Sequence, residues 1–226
     1  MNTLVVDTSS PYCSVALQCE AQIFFKHERV DRRHNEVVLQ MLDELFVRAE
    51  LDKAEIQLIG FNAGPGSFTG VRIGAAIVQA LSFASQAKVV AIDSSRVILN
   101  SLLAQDSPAV PGWVVATPSR ANLYYLSAYL VNPELECKHA DKLCDQLPVD
   151  FQSLLAQGWG LCGTLPSWLD VSEHVFCEQM PDAQAQLAYV LSKHHGGQSH
   201  PAELALPRYL PEDSPWKPTR TRANST

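Results

Sequence analysis

Along the first hundred residues the period of the apolar positions changes several times, and each change predicts an element. Leu4–Val6, Ser14–Leu17 and Ile23–Phe25 are short apolar or alternating runs separated by Ser9-Ser10-Pro11 and Glu20-Ala21, the pattern of an antiparallel meander. From Arg33 to Ala49 the residues Val37, Val38, Met41, Leu42, Leu45, Phe46 and Ala49 fall at three- and four-residue spacings, which predicts an amphipathic helix. The apolar run Leu58–Phe61 reads as a strand. A helix over Gly70–Ala87, a strand over Val89–Ile92 and a helix over Ser94–Leu103 follow, with Ser94 placed to cap the last of these.

Meander strands leading into alternating helices and strands give the order of a ribonuclease-H-like lobe. After the break Ser107-Pro108-Ala109-Val110-Pro111-Gly112 a weaker version begins again. Trp113–Ala116 and Asn122–Leu130 read as strands, Val149–Ala156 as a helix, Trp159–Cys162 as a strand and Asp182–His195 as a helix. The expectation is therefore an α/β chain of two related lobes, residues 1–106 and 107–206. Prolines at 201, 207, 211, 215 and 218 and the run Trp216–Arg222 mark 207–226 as a Pro-rich, basic tail, expected to be partly disordered rather than a functional arm.

Composition narrows the function classes. A 226-residue chain with 46% hydrophobic residues can bury a substantial core, while a net charge of −7 and a pI near 5.4 argue against a freestanding nucleic-acid binder. Any contact with RNA is expected to be indirect or shared. Cys13, Cys19, Cys137, Cys144, Cys162 and Cys177 form no Cys-x-x-Cys pair, and nothing before Met1-Asn2-Thr3-Leu4 reads as a signal peptide. These features predict reduced thiols and a cytoplasmic location. No apolar run is read as reaching the roughly 20 residues of a membrane span, so no membrane partner is expected.

The least ordinary stretch is GPGSFTGVRIG, Gly64–Gly74, between a strand and a helix, where proteins often hold phosphate. Each enzymatic match fails. A P-loop needs Lys after its last glycine, where Val71-Arg72 follows Gly70; a dinucleotide fingerprint needs glycine at 69, where Thr69 stands; a nucleophile elbow needs a different spacing around Ser67. No catalytic residue is assigned. Gly64, Pro65, Gly66, Ser67 and Thr69 are read as a structural turn whose hydroxyls cap the next helix. That helix is apolar around most of its circumference, and with the Arg33–Ala49 helix it could be ordinary core or half of an intermolecular four-helix bundle. In the second case His34, Val38, Met41, Leu42, Leu45, Phe46, Gly70, Arg72, Gly74, Ala75 and Val78 form the partner interface. His34 has no second histidine at i+4, and His194, His195 and His200 lie in a Gly-rich exit, so no metal site is assigned.

These residues resemble one family closely. Met1–Asp7-Thr8-Ser9, Cys13-Ser14-Val15-Ala16-Leu17, Arg33-x-x-Glu36, Gly64–Gly74 and Pro207-Arg208-Tyr209-Leu210 are similar to the TsaB (YeaZ) family, strongly over residues 1–95 and weakly beyond. The resemblance implies the actin/Hsp70/sugar-kinase architecture of two ribonuclease-H-like lobes. It implies a non-catalytic partner of TsaD which, with the ATPase TsaE, installs threonylcarbamoyl on adenosine 37 of tRNAs that read codons starting with A. It further implies no cofactor bound by this chain itself, and ATP and magnesium used by the complex; a homodimer of the free chain is expected because an apolar interface of this kind is seldom left bare. Nucleotide-binding relatives carry D-x-G-[ST] in the first hairpin, whereas Asp7 is followed by Thr8-Ser9-Ser10, which makes Asp7, Thr8 and Ser9 a degenerate nucleotide site. Where TsaD has an H-x-E-x-H-type metal motif, this chain reads Ile92-Asp93-Ser94-Ser95-Arg96. Two alternatives remain: an ATP-dependent phosphotransferase or ATPase of the same fold, using Asp7 and Asp93, and, last, a peptidase built on Ser67 and His34.

Overall fold

The computed structural model describes residues 1–31, 33–132 and 134–210, so the Pro-rich tail from 211 onward lies outside the described residues. The chain runs β1 (Thr3–Asp7), β2 (Tyr12–Cys19), β3 (Gln22–Arg29), α1 (His34–Ala49), β4 (Leu58–Gly64), α2 (Phe68–Ser85), β5 (Lys88–Asp93) and α3 (Ser94–Leu103). It continues with β6 (Gly112–Arg120), β7 (Leu123–Leu130), β8 (Glu136–Cys144), α4 (Val149–Ala156), β9 (Gly160–Gly163), β10 (Phe176–Glu178) and α5 (Leu187–His195).

Two five-stranded sheets result, ordered β3-β2-β1-β4-β5 and β8-β7-β6-β9-β10. In each, the first three strands pair antiparallel and the last two are added in parallel. The topology is the same in both, so the chain has the two-lobed α/β architecture that its element order predicts.

Period-two alternation sends each strand's side chains to different helices. Leu4, Val6, Val15, Leu17, Ile59 and Phe61 face a core closed by Met41 and Leu45 of α1 and Ala75 and Val78 of α2. Val5, Ala16, Leu58, Val90 and Ile92 face the opposite way, onto Leu187 and Val190 of α5. In the second sheet Val114, Ala116, Leu126 and Ala128 meet Phe151 and Leu155 of α4, while Trp113, Val115 and Tyr129 meet Ile98, Leu99 and Leu102 of α3. The last helix of each lobe thus covers the other lobe's sheet.

That exchange moves a boundary. Residues 187–205 pack with the first lobe, together with Ala183 just before them: Val89 and His200 exchange backbone hydrogen bonds of 2.7 and 2.8 Å, Gln79 Nε2 donates to the Ala205 carbonyl at 3.0 Å, and Ala205 is buried in the first core. Residues 207–210 are also ordered against that lobe, with the Arg208 N–H donating to the Ala63 carbonyl at 2.7 Å. The expected helix Asp182–His195 shortens to α5, preceded by a 3-10 turn at Gln184–Gln186. Ser94 is the first residue of α3 and Asp93 its N-cap, because the Ser94 hydroxyl is drawn to Asn62. By length and composition α2 is long and apolar enough to cross a membrane, contrary to the expectation from the sequence; here its Gly70, Val71, Gly74, Ala75, Val78 and Ser82 are buried within the fold.

Candidate functional site: interlobe cleft and helix face

The turn after β4 folds onto the turn after β1, and polar side chains join the two. The Asp7 carboxylate accepts from the Ser9 N–H and Ser9 hydroxyl, both at 2.9 Å, and from Asn62 Nδ2 at 2.6 Å. Asn62 Nδ2 also donates to Ser9 Oγ, and Asn62 Oδ1 accepts from the Gly64 N–H at 3.0 Å and the Ser94 hydroxyl at 2.6 Å. Complete burial raises the Asp7 carboxyl above the usual carboxylate range, and the donors from Ser9 and Asn62 oppose that shift. The carboxylate holds two turns together with both oxygens engaged.

The glycines of GPGSFTG are explained by the same contact. A Cβ on Gly70 would overlap the Thr8 carbonyl oxygen outright, and one on Gly74 would lie 2.7 Å from Thr8 Oγ1. Thr8 Oγ1 itself donates to the Gly70 carbonyl at 2.8 Å. Gly64 has φ +105°, and a Cβ there would lie 2.9 Å from the Arg208 carbonyl oxygen. The close backbone approach that glycine allows is taken up by the chain's own Thr8 and Arg208. Ser67 is the N-cap of α2, its Oγ accepting from the Gly70 N–H at 3.2 Å; Thr69 is exposed on the first turn and makes no such cap.

Beside this junction lies a cleft of about 750 Å³ between the lobes, walled by Ser9, Ser67, Thr69 and Ser94 on one side and Thr117, Ser119, Thr164 and Gln179 on the other. Among the described residues, which do not include Arg32 beside Asp31, its lining includes Asp31 and His34 but no lysine or arginine. The His34 Nε2–H donates to the Ser10 carbonyl at 2.8 Å, with the Tyr12 carbonyl at 3.3 Å. Arg72 stacks on Phe68, itself a lining residue of the cleft, with 3.2 Å to the ring centroid and lies 5.1 Å from the Tyr209 ring, while Arg208 pairs with Asp93.

The interface residues expected from the sequence need correction. Val38, Met41, Leu42, Leu45 and Phe46 of α1, and Gly70, Gly74, Ala75 and Val78 of α2, are buried in the chain's own core, and His34 is buried against the first hairpin. Of that set only Arg72 is exposed. The same two helices do carry an outward apolar face, made by Val47 (76% exposed), Phe83 (71%) and Leu39 (55%), with Phe68, Ala76, Ala80 and Ala84. In the sequence these positions stand out as apolar residues out of phase with the main stripe. Asn62, which ties Asp7 to Ser94, has no signal there: it is one polar residue inside an apolar strand.

The two lobes, the cleft between them and the exchanged helices define an actin-like α/β protein. Comparison with known proteins agrees: the family model described as "TsaD: tRNA N6-adenosine threonylcarbamoyltransferase" matches residues 26–155, more than half of the chain. The chain belongs to that family and, within it, to the TsaB (YeaZ) group. It is 33% identical over 127 residues to the tRNA threonylcarbamoyladenosine biosynthesis protein TsaB of Haemophilus influenzae, covering 56% of this chain and 53% of that protein. To TsaB of Escherichia coli it is 31% identical over 94 residues, covering 42% of this chain and 41% of that protein. The matches span about half, or less, of the length of those relatives. Over 92% of this chain and 99% of the other, it superposes on YeaZ from Pseudomonas aeruginosa with a TM-score of 0.76 at 25% identity.

Proposed function

We propose that this chain is a non-catalytic subunit in the biosynthesis of threonylcarbamoyladenosine on tRNA, presenting the outer faces of α1 and α2 to a TsaD-type partner, with a TsaE-type ATPase as third component. The observation that carries the reading is the closed junction of turns: Thr8 occupies the space that the glycines of Gly64–Gly74 would otherwise leave for a phosphate. With both Asp7 oxygens engaged by the chain's own donors, a phosphotransferase is the weaker reading. A peptidase is weaker still, because Ser67 Oγ caps α2 and His34 Nε2–H is spent on backbone carbonyls. On this reading ATP and magnesium are used by the complex and not held by this chain, tRNA contact is indirect or shared, and the complex works in the cytoplasm without a membrane.

The outward apolar face supports a partner surface, since soluble chains seldom leave such patches bare. The free chain would cover the face by pairing with a second copy. Co-purification with the cognate TsaD tests the proposal. Val47→Glu combined with Phe83→Glu is expected to abolish the complex and leave circular dichroism unchanged. A folded double variant that binds like the wild type would remove this face from consideration.

A further inference from the structure

A second polar cluster lies on the other side of α3, where the lobes meet. The Ser95 hydroxyl, on the first turn of α3, sits 3.0 Å from Asp141 Oδ2 of β8 and 3.0 Å from the Tyr129 hydroxyl of β7. One residue earlier, Ser94 bonds Asn62 of the first sheet. Asp141 Oδ1 is sealed from solvent and has no hydrogen-bond partner among the described residues, and the same holds for Ser127 Oγ of β7. Ser127 lies close enough to help hold the Asp141 charge without meeting it in hydrogen-bonding geometry. A carboxylate with one oxygen shut away from both water and donors is a costly arrangement unless it can take up a proton or reach water.

We infer that Asp141 is a proton-sensitive tie between the lobes: neutral, it lets the second sheet close on the start of α3, and ionised, it favours opening of that seam to water. Burial lifts its carboxyl to about 6, with the Asp93 charge adding to the rise and Ser95 and Ser127 opposing it. The other groups around it do not replace it as the titrating element. Asp93 is paired with Arg208, Arg96 is turned to Asn100 and the Tyr189 ring, and burial holds the Tyr129 phenol and the Cys137 thiol above their ordinary ranges.

The closed seam has the raised pKa and the open seam the ordinary one, so closure is fully supported below the ordinary value and lost as pH rises through about 6. Amide hydrogen exchange on the full chain, corrected for intrinsic rates, tests this. Opening at residues 94–98 and 125–129 is expected to increase about tenfold between pH 5 and pH 7. Asp141→Asn keeps a neutral partner for Ser95 and should abolish the dependence, holding exchange at the low-pH value. If that variant does not fold, a ¹³C titration of the wild-type Asp141 carboxyl decides. A midpoint near 6 supports the tie; a midpoint below 5, or unchanged pH dependence in folded Asp141→Asn, overturns it.

Discussion

The two lobes have one topology and very different finish. In the first, α1 has 16 residues and α2 has 18, the glycines of the β4–α2 turn are filled by Thr8 and Arg208, and every Asp7 oxygen has a partner. In the second, α4 has eight residues, no helix is assigned between β9 and β10, and Thr117, Ser127 and Asp141 keep sealed polar atoms without partners among the described residues. One feature survives in both. Gly163, at the end of β9, has φ +102° and faces the Ala116 carbonyl as the first lobe's glycines face Thr8 and Arg208. The fold therefore requires the tight backbone crossing at the strand end, while the long helices and the closed polar junction belong to the lobe that carries the outward apolar face.

The largest expected effect tests whether the better-finished lobe supports the other. Leu45 is fully buried, so Leu45→Glu loses its packing and buries a charge, costing about 4 kcal/mol or more. Trp113, Trp159 and Trp168 lie in the second lobe, so in a Trp216→Phe background tryptophan fluorescence reports on that lobe while circular dichroism follows the whole chain. Because α5 and α3 are exchanged, both signals should be lost together in Leu45→Glu. Native fluorescence surviving in that variant would show the lobes to be independent.

Next come the shared glycines. Gly70→Ala and Gly163→Ala each push a methyl into a backbone carbonyl, and each should cost about 3 kcal/mol in urea unfolding. Gly158 is the control: it has φ +83°, but a methyl there would meet nothing within 4 Å, so Gly158→Ala should cost only the left-handed strain of about 1–2 kcal/mol. A Gly163→Ala loss no larger than that of Gly158→Ala would mean that backbone strain explains Gly163, and a negligible loss in Gly70→Ala, whose φ is not positive, would remove the filled crossing as the reason for Gly70.

The contrast between lobes also accounts for what can be read from the sequence. Helices with a long apolar stripe announce themselves, so α1, α2 and the strand β4 between them are legible to within a few residues. The same stripe misleads the choice of interface: periodic apolar residues such as Val38, Met41 and Leu45 mark the face that a helix buries in its own core, and the outward face consists of the off-phase Leu39, Val47 and Phe83. Strand β8 escapes the pattern because it is an edge strand with mostly polar, exposed or half-buried positions, ECKHADKLC, and β10 because it has three residues. Nothing local marks Asp141, whose character comes from burial in the fold and whose hydroxyl partner, Ser95, is 46 residues away. The return of α5 to the first sheet is likewise a long-range choice among apolar surfaces.

A third test turns on the unfinished polar atoms. The Asp141 pKa is raised in the fold, to about 6 from 3.8, so its contribution to stability is complete below 3.8 and disappears as pH rises through about 6. Asp141→Asn should therefore match the wild type near pH 4 and exceed it by about 2 kcal/mol at pH 7. Denaturant melts at the two pH values measure the difference. No gain at pH 7 would mean that the unpartnered Asp141 oxygen costs the fold nothing.

The smallest effect compares helix starts. α2 is capped by Ser67, whose Oγ receives the Gly70 N–H, whereas α4 begins after Pro148, which has no side-chain acceptor to offer. Ser67→Ala should lower stability by about 1 kcal/mol, and Pro148→Ser, in an extended N-cap conformation that serine also adopts, should raise it by a fraction of that amount. Thermal melts of the two variants give the comparison its finest resolution. Ser67→Ala also separates a structural cap from a chemical role, because the cap predicts that complex formation with TsaD and turnover in the reconstituted tRNA reaction both survive. An intact complex with collapsed turnover would give Ser67 a part in the chemistry and sink the assignment of this turn as scaffold.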